Sequence, residues 1–262
     1  MSSSSQSHGS FAYHAQAIGF AASMHKPCCE IIPGQAATSL SQTGGESYAT
    51  VRNFDWKGIF RFDEASSYCT GSTDHGAHNT LATVTVRGLN IANMVTADRI
   101  TARVSSRHQA DEKRVVGEGE ITLIGSSFEN LRIAGHRVTV STDRGLFSGP
   151  CMSYEQSKEN VAQMGMPHFV HSSLQVMSCR PTVEMEGLPK IPPDDRENRD
   201  APITLCSDGG IHVREFGIIY LATVIIKPSY RRISMLRVEL GCPLGGTLEA
   251  GGTEGNGTPI WQ

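Results

Sequence analysis

The chain is poor in aromatic residues, at 6%, and has no strong excess of charge. Lys+Arg 23 against Asp+Glu 26 gives a formal net charge of −3, which argues against a strongly basic nucleic-acid binder. No window approaches the roughly 18 apolar residues that a transmembrane helix requires. The first ten residues are serine-rich and hold no Lys or Arg, so the mildly apolar stretch 11–24 (FAYHAQAIGFAASM) makes a poor secretory signal. A P-loop, a GxGxxG opening a helix, a GxSxG elbow and an HExxH are all missing. The expectation is therefore no nucleotide cofactor, no nucleic-acid partner and no membrane association.

Cysteine is present without a pattern. The seven residues Cys28, Cys29, Cys69, Cys151, Cys179, Cys206 and Cys242 are odd in number and form no CxxC. Free thiols in a reducing cytoplasm are the simplest reading, so a cytoplasmic location is expected. No CxxCH occurs, which excludes covalent c-type haem.

Strand signals are plentiful. Residues 81–86 (LATVTV) alternate and are β-branched, and 99–104, 121–124 and 137–141 read the same way. Residues 218–226 (IIYLATVII) are long enough and apolar enough for a strand buried on both faces. After Pro228, residues 233–240 (ISMLRVEL) put Leu236, Val238 and Leu240 on one face, which predicts an antiparallel hairpin. One short helix is expected over 153–165, where Ser153 and Gln156 have capping-box spacing and Gly165 precedes Pro167. With Gly 27 and Pro 12, this predicts an all-β fold, a sandwich or flattened barrel of mainly antiparallel strands with one short inserted helix.

A short β-solenoid is the alternative. Segments 51–60 (VRNFDWKGIF), 86–100 (VRGLNIANMVTADRI) and 128–138 (FENLRIAGHRV) echo one another, but their spacing is uneven. Residues 71–79, 107–120 and 187–202 read as loops, and the glycine-rich tail 245–259 as partly mobile, with Trp261 able to pin its end. Residues 1–10 are expected to be a disordered serine-rich terminus and 11–262 a single β-rich domain.

Ten histidines are many for this length. His75 with His78, and His168 with His171, have i, i+3 spacing, and Asp74 adjoins the first pair. Three or four imidazoles and a carboxylate make a site for iron, copper or zinc. Ordinary surface or core histidines are the competing reading, and an extended strand would turn His168 and His171 to opposite faces. His14, in apolar surroundings, is a candidate axial haem ligand, with haem ranked behind the three metal ions. Cys151, just before the expected helix, is a candidate thiolate. Asp55 beside Trp56, Glu215 beside Phe216, and Tyr220 in the apolar run are candidates for cofactor-free acid/base catalysis. Arg231 and Arg232 beside Tyr230 suit either an anion or a solvated hairpin edge.

The reading that follows is an enzyme with an apolar pocket, a histidine-ligated metal- or haem-dependent oxygenase acting on a small organic substrate. A non-catalytic β binding or assembly module, with a homo-oligomer as its assembled form, is the alternative. A cofactor-free isomerase or cyclase lies between them.

Overall fold

A computed structural model describes residues 10–109, 119–142, 153–187, 201–228 and 230–260. The first strands in chain order are β1 (Ser10–Lys26), β2 (Glu30–Gln35), β3 (Thr38–Ser39), β4 (Gly45–Trp56), β5 (Phe60–Asp74), β6 (Ala77–Ile91) and β7 (Val95–Gln109). Next come β8 (Glu120–Thr122), β9 (Ser127–Glu129), β10 (Arg132–Ile133) and β11 (His136–Val140), then the helix α1 (Tyr154–Gln163). After it follow β12 (His168–His171), β13 (Val176–Cys179), β14 (Val183–Met185), β15 (Ile203–Leu205) and β16 (Ile211–Val213). The chain closes with β17 (Gly217–Lys227), β18 (Tyr230–Leu240) and β19 (Gly245–Ile260).

These strands form two antiparallel sheets. Sheet A runs β12-β13-β17-β18-β19-β1-β2, and sheet B runs β14-β11-β10-β7-β6-β5-β4. Across the interface β1 packs on β5 and β6, β19 on β6 and β7, and β18 on β7. The fold is thus an all-β sandwich with one short helix. It is not a closed barrel, because each sheet ends in two edge strands, and the antiparallel ladders exclude a solenoid.

The sequence echo has another cause. Each repeat marks a hairpin turn with two successive positive-φ residues: Lys57 and Gly58, Ala92 and Asn93, Ala134 and Gly135. Such turns match the twist of the strands they join. Each follows an apolar pair that packs against or into the core, Phe54 and Trp56, Leu89 and Ile91, Leu131 and Ile133.

The long strands share an irregularity. In β5 the inward residues are Phe60 and Phe62, then Ala65, Ser67 and Cys69. In β6 they change from Ala82, Val84 and Val86 to Leu89 and Ile91, and in β7 from Val95 and Ala97 to Ile100, Ala102 and Val104. The alternation reverses along a line through Asn53, Asp63, Gly88 and Asp98, where the ladders skip one pair, or two between β5 and β6, without losing register. Sheet A has a matching line through Gly19, Gly251, Met235 and Ala222. On every second strand the residue at the line has positive φ: Asn53, Gly88, Gly251 and Ala222. A single left-handed residue turns the pleat over, so the face that points inward changes parity.

The tail 245–259, expected to be partly mobile, lies within a 16-residue strand, β19, between β18 and β1. Its glycines have a packing role, for a Cβ on Gly257 would collide with the Phe11 ring and one on Gly246 with the Ser23 carbonyl. The expected loop 71–79 is mostly strand, with only His75 and Gly76 turning between β5 and β6. The 218–226 and 233–240 hairpin forms as β17 and β18. Ser153 caps α1, its hydroxyl accepting from the Gln156 N–H at 3.0 Å, and Tyr154, Ser157 and Val161 are buried. Residues 1–9 of the serine-rich terminus, Cys151, Trp261 and most of 107–120 and 187–202 lie outside the described residues, while Ser10, assigned to that terminus, begins β1.

Candidate functional site

The outer face of sheet B follows from strand alternation. In β7, Ala102, Val104 and Ser106 are buried, so Thr101, Arg103, Ser105 and Arg107 point outward. Register sets these residues into rows across the sheet. Tyr48 stands opposite Tyr68, Tyr68 opposite Thr83, and Thr83 opposite Arg103. The neighbouring row is Glu46, Thr70, Leu81, Ser105 and Thr122.

A cleft of about 280 Å³ opens here, lined by Thr70, Ser72, Asn79, Arg103, Ser105 and Arg107, with Glu120 and Thr122 from β8. Both arginines are exposed, and among the described residues neither guanidinium has an ion-pair partner. By contrast Arg52 pairs with Glu64 at 2.7 Å, and Arg99 pairs with Glu129. No His or Cys lines this cleft, so its chemistry is that of two cations, hydroxyls, the Asn79 amide and the Glu120 carboxylate.

The histidine candidates do not converge. His75 occupies the β5–β6 turn at φ 48°, 91% exposed, with Asp74 Oδ1 3.6 Å from its Nε2. His78 faces the other way, its Nδ1 2.9 Å from Thr73 Oγ1 and 3.2 Å from the Tyr13 hydroxyl. Its ring stacks on Phe11 at 4.2 Å, and burial lowers its pKa. His168 and His171 lie on the extended edge strand β12, so they take opposite faces. The Nδ1 of His168 sits 2.8 Å from the Met166 carbonyl, and that of His171 3.2 Å from Ser173 Oγ. His14 bonds Glu254 at 3.1 Å. Among the described residues no group of three or more His, Cys, Asp or Glu is placed to hold a metal ion. The i, i+3 spacing fails because it joins one face only on a helix, and both segments are strand or turn.

The acid/base candidates are also apart. Asp55 accepts from the Gly58 N–H at 2.7 Å, so it closes a surface turn. Glu215 is exposed in the turn between β16 and β17, at φ 61°. Tyr220 is buried beneath the Arg180 guanidinium, 4.4 Å from its ring centroid, and burial raises its pKa. No hydrogen bond or ion pair joins any two of the three. Arg231 is buried, bonded to the Lys227 and Tyr230 carbonyls and to Ser157, and Arg232 pairs with Glu249 at 2.7 Å. Neither presents itself to an anion as the sequence allowed.

Two groupings escaped the sequence reading. His108 stands opposite His78 in the β6–β7 ladder, with its Nε2 2.6 Å from Asn256 Oδ1. Burial lowers its pKa more than the Asn256 hydrogen bond raises it. On sheet A, Glu254 receives both His14 and the Tyr230 hydroxyl, and the His14 bond is the main cause of its lowered pKa. The arginine cleft did carry a signal: Arg99, Arg103 and Arg107 recur every four residues, which in a strand keeps them on one face.

The search of curated proteins and that of solved structures each returned no match for the chain. Residues 11–184, which include β2–β13, all but the first residue of β1 and both cleft arginines, match the family described as Domain of unknown function (DUF8256), and the chain belongs to that family.

Proposed function

We propose that the protein is a non-catalytic binding module, and that the outer face of sheet B holds an anionic, hydroxyl-rich ligand. One observation carries this reading: Arg103 and Arg107 share one face of β7 in a hydroxyl-lined cleft, and among the described residues neither guanidinium makes an ion pair, although Glu120 stands opposite Arg107 in the β7–β8 ladder. Four residues of strand separate them by about 13 Å. A guanidinium left open to solvent is a ready donor to a carboxylate or a similar oxyanion. Thr70, Ser72, Ser105 and Thr122 supply groups that both donate and accept, which suits ligand hydroxyls. The scattered histidines lend no comparable support to the oxygenase reading.

Titration with glucuronate, followed by amide chemical shifts, tests this. Shifts are expected to cluster on the strand segments 70–72, 79–81, 103–107 and 120–122, and to vanish in the Arg103→Gln/Arg107→Gln variant. Shifts elsewhere, or shifts that persist in that variant, would overturn the assignment.

A further inference from the structure

Resting on the binding role just proposed, we infer that the ligand is an acidic oligosaccharide laid across the strands from Arg103 to Tyr48. Tyr48 is 82% exposed on the edge strand β4. It begins the row Tyr48, Tyr68, Thr83, Arg103, which crosses four strands. At about 4.8 Å between strands the row spans about 14 Å. On one side it is flanked by Thr50, Ser66, Thr85 and Thr101, directly opposite one another from strand to strand. On the other side lie Glu46, Thr70, Leu81 and Ser105. The result is a track rich in hydroxyl side chains, interrupted by Leu81, with the phenol rings of Tyr48 and Tyr68 at one end and at the other Arg103, which makes no ion pair among the described residues.

A sugar ring has an apolar C–H face and a rim of hydroxyls. A rigid, solvent-facing Tyr offers the first a surface to stack on, at little entropic cost. The hydroxyl rows serve the rim, and Arg103 takes a carboxylate. The acids fix how dense the ligand's charge is. Glu46 and Glu120 border the track, so a polyanion with a charge on every unit would meet repulsion. A chain alternating a uronate with a neutral sugar escapes that penalty. Tyr48 adds nothing to a lone anion bound at Arg103, which separates this inference from the one beneath it.

Calorimetric titration with a hyaluronan hexasaccharide, glucuronate and the neutral maltohexaose tests it. The hexasaccharide is expected to bind at least about tenfold more tightly than glucuronate, as one further anchoring contact provides, and maltohexaose to show no binding. Tyr48→Ala should remove that gain and leave glucuronate binding intact, and Tyr48→Phe, which keeps the ring, should restore it. A hexasaccharide no tighter than glucuronate, or unaffected by Tyr48→Ala, overturns the oligosaccharide and spares the anion site. Loss of glucuronate binding itself overturns the binding module. A dimer that Tyr48→Ala dissolves, with no sugar bound, makes the face a contact between copies of the chain and overturns both.

Discussion

His78 and His108 stand directly opposite each other on β6 and β7, and the Phe11 ring lies near both, 4.2 Å from one and 5.1 Å from the other between centroids. Burial lowers the pKa of both imidazoles, and His108, the more buried of the two, is 6% exposed. Both pKa values sit below the ordinary 6.5, so the unfolded chain binds protons before the folded one does. Stability is intact above about pH 6.5 and is lost as the pH falls below it, until the folded-state groups protonate as well. The slope from His108 is at most about 1.4 kcal/mol per pH unit. The thermal midpoint should fall between about pH 7.5 and about pH 5.5. His108→Gln should flatten that dependence, and an equal slope in the variant would remove His108 as its source.

Gly19 lies on the reversal line of sheet A and faces Ala65 across the sandwich. A Cβ there would come within 2.8 Å of Ala65 Cβ and 2.9 Å of the Gln35 carbonyl oxygen. Gly19→Ala should cost about 1–3 kcal/mol through overpacking. Adding Ala65→Gly should recover part of the loss, although Ala65→Gly alone is destabilising. Urea midpoints of the four proteins in the cycle decide this. Costs that merely add would show that Ala65 is not what Gly19 avoids.

The cysteines divide by reach. Cys29 and Cys242 are exposed, whereas Cys69 and Cys179 are buried. Burial pushes the Cys69 thiol up to about 12. Iodoacetamide at neutral pH should label Cys29 and Cys242 in the folded protein and reach Cys69 and Cys179 only after denaturation. Native-state labelling of Cys69, read by mass spectrometry, would contradict the packing of β5.

The sequence disclosed the elements whose local chemistry is sufficient. The Ser153 cap, the apolar run of β17 and the alternation of β18 each carry their own signal. The 15-residue strands were legible only in halves, because the parity of their inward residues changes at Asp63, Gly88 and Asp98. A period of two broken midway resembles two short strands with a loop. β19 was hidden because glycine advertises turns, while here the missing Cβ atoms make room for Phe11 and Met24. The histidines misled because i, i+3 spacing was read without knowing the backbone that would carry it. His108 lay on a different strand from His78, and that pairing depends on register alone.

The reversal lines also govern how force passes through the molecule. Every long strand crosses one, and each crossing omits one or two rungs of the ladder. Shear between strands is carried by those rungs, so the sandwich has a seam at mid-length. On one side lie the arginine cleft and the His78–His108 pair, and on the other the ring cluster of Phe20, Phe54, Phe60 and Phe62. A pull along the strands is borne by two short blocks in series, and the seam is where the first gives way to the second.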